Sequence, residues 1–67
     1  MTKKEAQSLQ VGDKVYDRWY KIYGQGTVVE AKKTVFVIKF DSLEKDDGMV
    51  RYDLAHMKFV EIGEVDG

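Results

Sequence analysis

Gly24-Gln25-Gly26-Thr27-Val28-Val29-Glu30-Ala31-Lys32-Lys33-Thr34-Val35-Phe36-Val37-Ile38-Lys39-Phe40-Asp41 sets the pattern of this 67-residue chain. It reads as a two-glycine turn, a strand, a tight connection and a second strand. Thr34 to Phe40 is a β-branched and aromatic run, too short for a stable helix. Side chains alternate along a strand, so placing Lys39 outward sends Phe36, Ile38 and Phe40 inward and leaves Val35 and Val37 on the outer face. Gly26 to Glu30 is the partner strand, with Ala31, Lys32 and Lys33 as the connection. Gly24 and Gly26 bracket one residue where a positive φ or a close backbone approach is needed.

Working outward, Thr2-Lys3-Lys4-Glu5 has capping-box spacing, which starts either a short helix over Lys3–Ser8 or a frayed tail, with Leu9 and Val11 as anchors. Val11 to Tyr16 is a turn feeding a first strand, Val15 inward. Asp17-Arg18-Trp19-Tyr20-Lys21-Ile22-Tyr23 holds the one tryptophan and two of the four tyrosines. An aromatic loop of this kind reads as a binding surface or, with Trp19 or Tyr20 folded back, as a plug at one end of the core, and both hold when one ring is in and another out. Ser42 to Gly48 is an acidic loop, and Met49 to Tyr52 a fourth strand with Val50 and Tyr52 inside. Asp53 caps a single helical or 3-10 turn at Leu54 to Met57, and Lys58 to Ile62 is the fifth strand. Residues 1–10 are thus a tail or short helix, 11–62 one all-β domain, and 63–67 a disordered tail.

Composition narrows the function classes. The chain can hold one small core. It has no cysteine, so neither a disulfide nor a thiolate metal site, and 12 acidic residues nearly cancel 11 basic ones. The longest apolar run, Val35 to Ile38, cannot cross a bilayer, and the amino terminus is polar where a secretory signal is apolar. A soluble cytoplasmic protein with no membrane association is expected, a monomer in preference to an oligomer. The one histidine, His56, has no nucleophile motif beside it, and three or four zinc ligands are not gathered. With Gly48 at position 6 of an EF-hand loop, positions 1 and 12 fall on Leu43 and Leu54, which cannot bind calcium. Gly24-Gln25-Gly26 has no third glycine and no P-loop lysine. The expectation is a non-enzymatic protein without metal or cofactor.

Five short strands, four in a meander and the last entered through a helical turn, are the order of a small SH3-like barrel. Val11-Gly12-Asp13-Lys14-Val15, Tyr23-Gly24-Gln25-Gly26-Thr27-Val28-Val29, Ile38-Lys39-Phe40-Asp41 and Leu54-Ala55-His56-Met57 resemble the Tudor-like SH3 domain at the carboxyl terminus of UvrD and PcrA type helicases. The resemblance covers most of Val11 to Ile62 through mainly structural motifs. It departs where that family has phenylalanine before the first glycine and a histidine or basic pair at the end of the first strand; Tyr23 and Asp17-Arg18-Trp19-Tyr20 stand here. The resemblance implies binding to proteins, RNA polymerase among them, or to nucleic acid, within transcription or DNA-repair machinery.

Charge placement separates those two. In a meander the first and third connections share an end, so the aromatic loop should face Glu44, Asp46 and Asp47, with Lys32 and Lys33 opposite. Such a mixed end suits a protein partner presenting lysine or arginine. The partner-binding residues expected are Arg18, Trp19, Tyr20, Lys21 and Tyr23, with Asp46, Asp47 and Arg51 at the rim, Tyr52 and Tyr23 being open to a core role. The alternative, a nucleic-acid interface, would use Arg18, Trp19, Lys21, Lys32 and Lys33. A proline-rich peptide groove lined by Trp19, Tyr20 and Tyr52 is a weaker variant, without an Ala-Leu-Tyr-Asp-Tyr-like motif.

Overall fold

A computed structural model describes residues 1–65. A five-residue helix α1 (Lys3–Gln7) precedes strands β1 (Lys14–Asp17), β2 (Gly26–Ala31), β3 (Val35–Phe40), β4 (Met49–Asp53) and β5 (Val60–Ile62). The strands form one antiparallel sheet in the order β4-β3-β2-β1-β5. Strand number, order and direction follow the expectation, but closure into a barrel does not. The sheet is open, with no ladder joining β4 to β5. Chain leaving β4 enters the 3-10 segment Leu54–Phe59, which packs on β4, β5 and α1 and brings Met57 fully into the core. Leu54–Phe59 and α1 cover apolar surface that strand pairing would cover in a closed barrel. Among the described residues 3-10 turns form at Lys21–Tyr23 as well as at Leu54–Phe59, and Lys45–Gly48 is a kinked turn with left-handed backbone at Asp46 and Asp47.

The alternation in β3 holds: Phe36, Ile38 and Phe40 are buried, Val35 and Val37 half-buried on the outer face. Val15, Val28, Tyr52 and Val60 complete the sheet's contribution to the core, and Ala6 and Leu9 close it from the amino-terminal side. Val50 is half-buried beside them. The hairpin between β2 and β3 carries a bulge, its register shifting between Val28 and Glu30. Gly24 meets both expected needs, with φ +81° and the Asp41 and Ser42 side chains against it, and Gly26 meets the second, since a methyl there would stand 2.8 Å from Ile38 Cγ2 and 2.9 Å from an edge carbon of Phe40.

At the amino terminus the helix forms with its capping box: Glu5 N–H donates to Thr2 Oγ1 at 3.1 Å and Thr2 N–H to Glu5 Oε1 at 2.9 Å. The bond from the Thr2 backbone N–H, and then the Thr2 hydroxyl, hold the Glu5 carboxyl below its ordinary value. Leu9 anchors the segment, but Val11 does not; it is 67% exposed. Its neighbour Gly12 donates N–H to Val28 O at 2.7 Å, a backbone tether that leaves the Val11 side chain outside. The Met1 amino group donates to the carbonyls of Met57 and Val60 and sits 3.5 Å from a Glu61 carboxylate oxygen. Gly63 to Val65, expected as disordered tail, are held: Gly63 N–H donates to Lys14 O, and Val65 N–H to Gln25 Oε1 at 3.0 Å. The remainder of that tail, residues 66–67, lies outside the described residues. No helix among the described residues is long and apolar enough to cross a membrane.

Candidate functional site

Alternation along β1 turns Asp17 inward with Val15, so a carboxylate ends the strand at 3% exposure. Both of its oxygens accept hydrogen bonds. Oδ1 accepts the backbone N–H groups of Trp19 at 2.8 Å and Tyr20 at 3.0 Å, and Oδ2 accepts the Tyr52 hydroxyl at 2.6 Å. This is an Asx turn: the aspartate replaces backbone partners that the chain lacks as it leaves the strand. It sets the direction in which Trp19 and Tyr20 leave the sheet. Burial first, then the hydrogen bond to Asp17 and its charge, push the Tyr52 phenol well above its usual 10.0.

From that turn two aromatic walls rise. Tyr20 stacks on Tyr23 at 5.2 Å between ring centres with planes 18° apart, and Tyr23 leans on buried Phe40 at 5.2 Å. The Trp19 ring meets Phe59 edge-on at 5.4 Å, and His56 lies 6.2 Å from the Phe59 ring. Between the walls is a cleft of about 550 Å³, with Asp17, Tyr52 and Val50 along its base and Arg51 and Asp53 at its lip. That size accommodates a side chain with a few residues of backbone. Trp19 at 69% and Tyr20 at 53% are exposed. Neither ring plugs the core; Tyr52, at 6%, does, while Tyr23 is half-buried.

Asp53 caps the 3-10 segment, its Oδ1 accepting the His56 N–H at 2.9 Å and lying 2.6 Å from His56 Nδ1. The side-chain and then the backbone hydrogen bond from His56 hold the Asp53 carboxyl below its ordinary value.

The structure gathers Trp19, Tyr20, Tyr23 and Arg51 around one cleft and leaves the other sequence candidates outside it. Arg18 turns away to Glu61, 3.5 Å distant, and Lys21 lies over the Tyr16 ring at 5.8 Å. Asp46 and Asp47 belong to the turn after β3, where both adopt left-handed backbone, φ 53° and 57°. The Ser42 N–H at the start of that turn donates to Tyr23 O of the aromatic loop. Lys32 pairs with Glu30 at 2.9 Å, and with Lys33 it flanks a separate depression beside Leu9 and Phe36. The carboxylates facing the rings are Asp17 and Asp53, and Phe59 and His56 join them; none of these was singled out for the site from sequence. Asp17 had a readable signal, an aspartate at a strand end two and three residues before N–H groups without partners.

Among the described residues no group of three or more histidine and carboxylate side chains is placed to hold a metal ion, and no buried side-chain polar atom is without a partner. No family model matches the chain, and neither a curated protein nor a solved structure matches it.

Proposed function

We propose that the chain is a non-enzymatic, SH3-like interaction module that holds a segment of a partner protein in the cleft between Trp19–Phe59 and Tyr20–Tyr23. One observation carries this reading: two pairs of partly exposed rings are held on a hydrogen-bonded base. Exposed aromatic rings on a fixed scaffold supply contact area at low entropic cost, the recurring property of binding surfaces. Of the cations named for a nucleic-acid interface, Lys32 and Lys33 flank a different depression and Arg18 and Lys21 engage Glu61 and Tyr16. A phosphate backbone needs cations gathered along one track.

The test pairs two measurements on the labelled chain. Short single- and double-stranded oligonucleotides at low salt should leave the Trp19–Tyr23 amides unmoved. Trp19→Ala should keep the folded amide spectrum while losing a protein retained by the native chain. Oligonucleotide shifts centred on the cleft that fade with salt would replace this reading with the nucleic-acid one.

A further inference from the structure

Resting on the reading of the cleft as a protein-docking site, we infer that its occupant is an arginine side chain from the incoming segment. The base of the cleft carries a negative charge without a counter-ion. Asp17 is enclosed, and its three hydrogen-bond donors, two backbone N–H groups and a phenol, are neutral. Among the described residues no lysine, arginine or histidine lies within ion-pair distance of it. A buried charge with only neutral partners favours a cation brought from outside. Asp53 adds a second, exposed carboxylate at the lip, where both bonds to His56 fall on Oδ1.

The walls select the kind of cation. A guanidinium is flat, weakly hydrated and stacks on aromatic faces, whereas an ammonium holds its water more strongly. The exposed faces of Tyr20 and Trp19 give it surfaces to stack on while its N–H groups meet the exposed Asp53 carboxylate, with the enclosed Asp17 acting through its charge from below. Arg51 stands at the outer lip, so a carboxylate neighbouring the arginine in the segment is complemented as well. A run of phosphates would meet Asp17 and Asp53 instead.

The test uses seven-residue Ser/Gly peptides, acetylated and amidated, differing only at the central residue: arginine, its neutral isostere citrulline, or glutamate. They are titrated into the full-length labelled chain at low and at physiological salt. The arginine peptide should shift the Trp19 indole and the amides of Tyr20, Tyr23 and Arg51 to His56. Citrulline should bind about tenfold more weakly, glutamate more weakly still, and salt should narrow the gap. Asp53→Asn should weaken, and Arg51→Gln tighten, the arginine complex; asparagine keeps a capping oxygen for the His56 N–H and Arg51 is exposed, so the fold is retained. Equal binding of citrulline and arginine would overturn the charge assignment and leave the docking site standing. No cleft shift with any of the peptides at millimolar concentration would overturn both. A cleft that answered only to a single-stranded oligonucleotide would do the same.

Discussion

The hydroxyl of Tyr52 donates to Oδ2 of Asp17 at 2.6 Å, joining the middle of β4 to the end of β1, two strands that are not neighbours in the sheet. The bond holds the base of the cleft. Tyr52→Phe removes the donor and leaves a buried carboxylate oxygen short of a partner, which costs about 1–3 kcal/mol. Urea unfolding at neutral pH checks it.

The same bond sets a dependence on alkali. Because the folded phenol titrates above its unfolded value of 10.0, its contribution is complete below about pH 10 and is lost as pH rises from there toward the folded value. Urea midpoints measured from pH 8 to pH 11 should fall at the upper end for the native chain. Tyr52→Phe should flatten that fall.

Asp53 gives the opposite sign. Its folded value is depressed by His56, so its contribution is present above the ordinary carboxylate range and is lost as pH falls through the folded value. Asp53→Ala should lower stability at neutral pH and shrink its difference from the native chain in acid. Parallel acid titrations followed by circular dichroism would show this.

Gly26 and Gly12 make a matched pair. Gly26→Ala drives a methyl into Ile38 and Phe40 and should cost about 1–3 kcal/mol through overpacking. Gly12→Ala meets nothing within 4 Å and costs only the strain of its φ of +100°, about 1 kcal/mol. Thermal unfolding of the two variants ranks them.

Asp46 and Asp47 each adopt a left-handed conformation that glycine adopts without strain. Asp47→Gly should therefore raise stability, by up to about 1 kcal/mol, and leave peptide binding at the cleft unchanged. A calorimetric midpoint and a repeat of the arginine-peptide titration read both halves.

Period-two alternation made β3 legible, since one outward lysine fixed the phase of three core residues. The glycine pair and the Thr2–Glu5 cap were legible because each rests on local backbone needs. Openness of the sheet was not, because it depends on whether β4 and β5 meet, and that is decided by how Leu54–Phe59 packs rather than by any strand's own pattern. Val11 misled because hydrophobicity alone said anchor, while the bond from Gly12 to Val28 holds the backbone where the side chain faces outward. In the site, the rings of the aromatic loop could be named from sequence. Asp53 and His56 could not, since they come from the far side of the sheet and are brought in only by tertiary packing.

Gln25 sits between the two glycines of the decisive turn, and its amide reaches four backbone partners at once. Nε2 donates to Val15 O at 2.9 Å, Gly63 O at 3.1 Å and Gly26 O at 3.3 Å, while Oε1 accepts from Val65. Two of those partners lie 38 and 40 residues along the chain. Contacts that distant form only after β5 has docked on β1, so this clasp closes late on the folding route. Gln25→Ala should consequently leave the refolding rate nearly unchanged and hasten unfolding, making one side-chain amide a timer for how long the assembled domain persists rather than how fast it is reached.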